Sequence, residues 1–405
     1  MKILLIARTC PYPPNDGEKI RVFNLIKNLS HHEIILVCRA MSQYELEKVS
    51  ELNKYCAEVH AVYIPPPKSF LEKIKWVAPF IASKYPIGLS IVYFKKISHV
   101  IQNLCEKINF DIIQVEHSSL TIYLDYINVP EMSPAMVIMH NIDYIRNERV
   151  IEKLSFGLTK LFHLFNQSKF KKWELNSLYR YNCIVTVSEL DRIILEKNTS
   201  GLNFEVLPNG VDTETIKYKF NNADNSNNKI IFVASMDSEA NHDGAIYFLE
   251  NIFEQIKRKI PEATISFVGR KPRKELLERH NGKDIIVTGM VESVLEYYRN
   301  ANVVVVPLRS GGGTRLKILE AMAVGVPVVS TSVGAEGLNL VNKKEILIAD
   351  TPSDFADCVT QMLNSDKMRK QISLNARKKV EEEYDWVTIA QKSDKIYYKL
   401  CPKAQ

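Results

Sequence analysis

At 405 residues the chain is too long for one ordinary hydrophobic core, so two domains of about 200 residues each are expected. Its apolar and charged fractions, 46% and 25%, are those of a soluble globular protein, and the net charge of +6 is too modest to argue for a nucleic-acid partner. No run approaches the ~18 apolar residues of a membrane span. The opening MKILLIARTCPYPPNDG has too short an apolar run for a signal peptide and reads as a first strand entering a proline loop. Seven scattered cysteines without a CxxC pair read as reduced thiols in a cytoplasmic protein.

In chain order, Lys2 to Ala7 is the first strand, and after the loop RTCPYPPNDGEK an amphipathic helix runs from Ile20 to Leu29. Glu33 to Cys38 is a strand, Ser42 to Tyr55 a helix, and Val59 to Ile64 a strand closed by three prolines. Asp111 to Val115 and Ala135 to Met139 are strands followed by His117 and His140, and Cys183 to Val187 is another. Strands alternating with helices predict a doubly wound parallel α/β sheet. A turn-rich connector, VLPNGVD at 206–212, and the polar loop NNADNSNN at 221–228 then precede a second α/β series. Its strands are Lys229 to Ala234, Thr264 to Val268, Ile285 to Thr288, Val303 to Val306 and Val328 to Thr331. The expected domains are therefore 1–208 and 209–385, with a last helix from Trp386 to Leu400 crossing back within 386–405 to brace the first. A cleft beside the strand C-terminal ends is where such folds take ligands.

The most informative stretch is NVVVVPLRSGGGTRLKILEAMAVGVPVVSTSVGAEGLN, 302–339. A buried valine strand leads into Gly311, Gly312 and Gly313, then Thr314 as a cap, then a helix from Arg315 to Val324. Glycines without side chains, a helix N-terminus and the adjacent Arg315 and Lys317 suit a diphosphate. Glu320, an acid within an apolar helix, needs hydrogen-bond donors, which a ribose diol supplies. Arg270, after the strand ending in Val268, is a further phosphate candidate. His140, with Asn141 beside it, is a candidate to hydrogen-bond a sugar hydroxyl or move a proton, and His117 stands at the equivalent strand end. Gly17 belongs to the first loop of the first domain. No Asp-x-Asp at a strand end suggests a metal-chelating site, and no GxGxxG follows the first strand, which disfavours a nicotinamide dehydrogenase.

Two stretches of the first half combine lysines with aromatics. Residues 65–100 carry Lys68, Lys73, Lys75, Lys84, Lys95 and Lys96 among Phe70, Trp76, Phe80, Tyr85, Tyr93 and Phe94. Residues 151–175 repeat the theme with Phe156, Phe162, Phe165, Phe170 and Trp173. Such a surface suits contact with the anionic inner leaflet; the alternative is aromatics in the core beneath a solvated lysine face.

The motifs VSELD (187–191), LPNGVD (207–212), FVG (267–269), TGMVESVLEYYRNANVVVVPL (288–308) and LKILEAMAVGVPVVSTSVGAEGL (316–338) together resemble the GT4 family of retaining glycosyltransferases over essentially the whole chain. That resemblance implies a GT-B fold of two Rossmann-like domains and a metal-independent enzyme of cell-surface polysaccharide assembly. The second domain would hold a nucleotide sugar, UDP- or GDP-linked, and the first a glycan or polyprenyl-linked acceptor. It places Glu320 on the ribose, the glycine loop on the diphosphate, Met290 and Val291 against the base, and His140 beside the donor sugar. Gly17, Asn209, Ser235 and Asn241 join the donor-binding set, and His117 and Asn141 are expected on the acceptor side. The chain departs from the family at Gly312, where a second glutamate is common, and in the loop ASMDSEANHDG (234–244), which lacks the usual Arg and Lys. It resembles a GGGTR-type branch in which Arg315 and Lys317 supply the positive charge. Alternatives are a nucleotide-sugar epimerase of the same fold and a non-catalytic sugar-nucleotide-binding subunit.

Overall fold

The computed structural model describes residues 1–126, 133–152, 157–220, 228–311 and 315–402. They divide into two compact units, Met1–Pro208 with Ile389–Gln405, and Asn209–Thr388. In the first, seven parallel strands are β1 (Lys2–Ala7), β2 (Glu33–Ala40), β3 (Glu58–Tyr63), β4 (Ile112–Glu116), β5 (Ala135–Met139), β6 (Cys183–Thr186) and β7 (Phe204–Val206), ordered β3-β2-β1-β4-β5-β6-β7. Ile3, Leu4, Leu5 and Ile6 are all buried, as a central strand covered by helices on both faces requires. Ala7 lies in register with Glu116, so the β1 and β4 loops leave the sheet side by side where the strand order reverses.

The first helix begins at Gly17, three residues earlier than Ile20, because Asp16 caps it by accepting from the Lys19 N–H at 3.0 Å. The single helix expected over Ser42 to Tyr55 is two short pieces, an α-turn at Gln43–Glu47 and a 3-10 segment at Val49–Lys54. Leu46, Val49 and Leu52 recur every three residues, a 3-10 repeat rather than an α-helical one. Strand β7 was not expected; at three residues it has no periodicity to read. The last helix, Trp386–Leu400, packs on this unit: Asp394 takes a bond from His32 at 2.7 Å, Tyr397 bonds Gln114 of β4, and Lys399 pairs with Glu205 of β7.

Phe80, Tyr85 and Phe170 of the two basic aromatic stretches are core residues, whereas Phe70, Leu71 and Phe165 are exposed. Phe156 lies outside the described residues. Among the described residues, no helix is long and apolar enough to cross a membrane.

In the second unit six parallel strands are β8 (Lys229–Val233), β9 (Thr264–Val268), β10 (Ile285–Gly289), β11 (Val303–Val306), β12 (Val328–Ser330) and β13 (Leu347–Ile348), ordered β10-β9-β8-β11-β12-β13. The two-residue β13 was also not anticipated. All four valines of β11 are fully buried, and the helix Leu316–Val324 buries Ile318, Leu319, Ala321, Met322, Ala323 and Val324 over the same core. Gly325 ends that helix at φ +102° with its N–H on the Ala321 carbonyl, and an added Cβ would come 2.6 Å from the Tyr218 ring. A Gly325→Ala protein is expected to lose about 1–2 kcal/mol of stability, the cost of a left-handed residue with a side chain, measured by urea denaturation.

Candidate functional site

Both sheets reverse their strand order beside a central strand, and each unit gathers polar groups at the loops there. In the second unit these loops follow β8, β9 and β11. The Arg270 Nε donates to Ser235 Oγ at 3.0 Å, and the Asn241 amide donates to the Ser235 carbonyl at 2.9 Å. Asn241 Oδ1 in turn accepts from Lys317 Nζ at 2.9 Å. Four expected donor-site residues, Arg270, Ser235, Asn241 and Lys317, thus form one hydrogen-bonded chain. Lys317 brings its ammonium to the loop that lacks a basic residue of its own.

Arg315 occupies the cap position of the helix Leu316–Val324 without a side-chain cap bond, so the helix begins one residue later than expected. Its guanidinium lies against Gly311, where a Cβ would come 3.0 Å from Nη2 and 3.2 Å from the Ala240 methyl. With φ at +115°, Gly311 holds a backbone that only glycine adopts freely. Gly312, Gly313 and Thr314 lie outside the described residues. Met290 is exposed and Val291 partly so, both in the loop after β10, and Asn209 is half-buried at the start of the unit.

Behind the loop, the Tyr298 hydroxyl donates toward Glu320 Oε2 at 3.2 Å, with the Lys317 carbonyl at the same distance. Tyr298 is fully buried and escaped the sequence reading; its position in EYYRNAN carries no pattern that separates it from core. Burial pushes the Glu320 carboxyl up, against the opposing pull of Tyr298 and Lys317. Burial, helped by the Arg315 charge, lowers the Lys317 ammonium to about 7, with its nitrogen 4.8 Å from the Phe232 ring centre. A lysine so placed regains its proton when a dianion arrives. A carboxylate one turn further on accepts from hydroxyl groups.

In the first unit, Gly17 is the exposed first residue of its helix. Glu116 ends β4 fully buried, accepts from Gln114, and pairs with His140 Nε2 at 2.8 Å. Burial alone would raise its carboxyl; the bond and charge of His140, with Arg21 and Gln114, outweigh this and hold it below its ordinary value. Arg21, also fully buried, donates to the carbonyls of Pro208 at 2.8 Å and Leu207 at 3.0 Å. His117 sits 6.0 Å from His140, ring centre to ring centre. Its Nδ1 accepts from the Ser119 N–H at 3.3 Å, leaving Nε2 toward Asp143 at 3.5 Å. Burial, then the charges of Arg8, His140 and Arg146, hold His117 well below its ordinary value, so it is neutral. Its φ of 141° and ψ of 139° are a strained backbone for a side chain, the kind of outlier found at functional sites. Asn141 follows His140, half-buried.

Glu174 lies behind this cluster, fully buried, accepting from Ser118 Oγ at 2.6 Å and the Tyr144 N–H at 2.8 Å. Burial and the neighbouring Asp143 push its carboxyl up to about 8, so it stands protonated at neutral pH. Neither Glu116 nor Glu174 was singled out in the sequence. Glu116 had a signal in hindsight, as an acid directly before His117 at the end of an apolar strand. One group of described residues has metal-ligand spacing, His31, His32 and Asp394, with ligand atoms within 4.8 Å of one another. It lies at the last helix, before β2, at the opposite end of the strands from these loops.

Residues 227–365 match the family model described as Glycosyl transferases group 1. An uncharacterised 44.6 kDa protein in a cps region of Klebsiella pneumoniae is 22% identical over 398 residues, covering 95% of this chain and 96% of that protein. Sucrose-phosphate synthase from Thermosynechococcus elongatus superposes with a TM-score of 0.72 at 16% identity, over 100% of both chains. Anabaena HepE, solved in complex with UDP, superposes with a TM-score of 0.67 at 15% identity, over 98% of this chain and 100% of its own. Residues 227–365 thus carry the similarity to the group 1 glycosyl transferases, and the two Rossmann-like units have the GT-B fold of these solved structures.

Proposed function

We propose that this protein is a GT4 glycosyltransferase that moves a sugar from a nucleotide diphosphate to an acceptor hydroxyl with retention of the anomeric configuration. The observation that carries this is the Arg270–Ser235–Asn241–Lys317 chain beside Arg315 and Gly311, with Glu320 one turn away, inside the group 1 segment. In this reading the C1–O bond to the diphosphate breaks while the acceptor oxygen bonds C1 on the same face, and the acceptor proton passes to the leaving phosphate. Lys317 and Arg315 neutralise the charge growing on that phosphate, the role a metal ion plays elsewhere. Glu320 accepts from the ribose hydroxyls. The His140–Glu116 pair of the first unit handles sugar hydroxyls. The relative from a cps region supports cell-surface polysaccharide assembly as the setting; in this reading the acceptor is glycan or polyprenyl-linked and is reached from the cytoplasmic face of the membrane.

A thermal-shift screen of UDP-, GDP- and dTDP-sugars without added metal tests the donor. The matching nucleotide sugar at a hundredfold its Kd should stabilise the protein by about 2.7 kcal/mol. An Arg315→Ala protein should lose most of that shift; full retention of shift and transfer would refute the diphosphate assignment.

A further inference from the structure

The helix Phe70–Ile81 is built like a core helix and is not in the core. Phe70, Leu71, Ile74 and Ile81 are exposed, Phe70 to 76%, and Phe80 is its buried residue. Beside it opens a cavity of about 420 Å³, within the range of small-molecule sites. Trp76, Phe80, Tyr93 and Phe94 give it apolar walls, and Lys75, Lys95 and Lys96 stand among its lining. The walls are set before any ligand arrives. Trp76 and Phe94 meet edge to face at 5.1 Å, and the Arg39 guanidinium lies 5.2 Å from the Trp76 ring centre and 4.7 Å from that of Phe94. Arg39 is itself anchored on the carbonyls of Ile64 at 2.7 Å and Ile91 at 3.2 Å.

The charge says what covers this face. Lys75, Lys95 and Lys96 line it, in a stretch that also carries Lys68, Lys73 and Lys84, while Glu72 is turned to its own helix start, accepting from the Lys68 N–H at 2.6 Å. A second copy of the chain would oppose lysine to lysine. An occupant with a hydrocarbon chain and a phosphate complements both parts.

We propose that this cavity takes one hydrocarbon chain of a bilayer lipid with a net anionic phosphate headgroup, its phosphate held by Lys75, Lys95 and Lys96, while Phe70, Leu71 and Ile74 enter the bilayer surface. The site deepens the membrane-face reading of the acceptor and rests on it. It turns general adsorption to an anionic surface into capture of a single lipid.

Trp76 reports on the cavity from within. Titration with monomeric dioctanoyl phosphatidic acid should give a saturable change in tryptophan fluorescence that Trp76→Phe abolishes. Replacing Lys75, Lys95 and Lys96 together with alanine should weaken that binding on the order of a hundredfold, about fivefold per lysine. The same variant should keep its melting temperature and its stabilisation by nucleotide sugar, so loss of lipid binding there is not loss of fold. No saturable change, an equal change with inorganic phosphate, or equal affinity for dioctanoyl phosphatidylcholine would overturn the proposal. Tenfold tighter binding of farnesyl phosphate would overturn the bilayer-lipid assignment in favour of an isoprenoid acceptor. Nucleotide-sugar binding enters none of these readouts except as the fold check, so the donor reading stands or falls separately.

Discussion

A Lys317→Met protein is expected to lose about 10²–10³-fold in kcat/KM for the nucleotide sugar while becoming more stable than the parent at pH 6. The two effects have one cause. Lys317 is half-buried on the helix Leu316–Val324, beside the Arg315 charge, with Asn241 and the Phe232 face as its company. Burial favours the neutral amine and lowers the ammonium from 10.5 to about 7. An unfolded lysine keeps its proton up to its ordinary value, so between about pH 7 and 10.5 the unfolded chain binds more protons than the folded one. Stability therefore rises with pH across that window, and below it the full penalty of a buried charge is present. Methionine removes the penalty, so its gain in melting temperature should be largest at pH 6 and shrink by pH 9. Binding runs the other way. The free site at pH 8 holds mostly neutral Lys317, and a diphosphate that carries both charges throughout this range draws a proton onto it. Donor affinity should then fall by up to about tenfold per pH unit above 7, with proton uptake visible by calorimetry in buffers of different ionisation heat. Lys317→Arg should flatten that dependence. A methionine variant no more stable at pH 6, or a donor affinity level from pH 7 to 9, would remove Lys317 from the diphosphate site.

The parts of this site that were legible in the sequence are those that obey a period or a backbone rule. The valines of β11, the helix ending at Gly325 and the bounds of Trp386–Leu400 are long apolar or amphipathic runs with clear stops. The stretch from Ser42 to Tyr55 was misread because a three-residue repeat over so short a distance resembles a helix face. Glu320 stood out as an acid in an apolar helix. Its protein partner Tyr298 did not, because a buried tyrosine with a hydrogen bond and one without look the same as letters. The same holds for Glu174, which reads as one acid among surface lysines yet is fully buried over Ser118 and Tyr144. Pairings across the sheet come from topology, and strand order is not written in any single strand.

Glu116 is the clearest case, and it carries the other large prediction. His140→Ala should lower kcat about 10²–10⁴-fold if the imidazole acts on a sugar hydroxyl, and Glu116→Gln should reproduce much of that loss although it removes no group from the substrate side. The carboxylate fixes which His140 nitrogen carries the proton, because Nε2 must donate to it across 2.8 Å. A glutamine in its place can present an N–H instead and turn the ring or its tautomer. Residues that work as a unit are not additive, so the double variant should be no worse than His140→Ala alone. Stability separates positioning from simple support of the fold. Glu116 is buried within reach of the Arg21 charge, and removing one member of a buried set costs about 3–5 kcal/mol. Its carboxyl is held below the ordinary 4.5, so this contribution is present above that value and lost as pH falls through the lower folded value. His117 acts in a higher window. Held neutral well below 6.5, it lets the unfolded chain take up a proton first, and stability begins to fall as soon as pH drops below 6.5. Urea denaturation from pH 7 to 3 should therefore show two acid-side slopes in the parent, of which Glu116→Gln loses the lower and His117→Gln the upper. A Glu116→Gln enzyme that keeps the parent kcat while losing only the lower slope would make this carboxylate a support of the fold and nothing more.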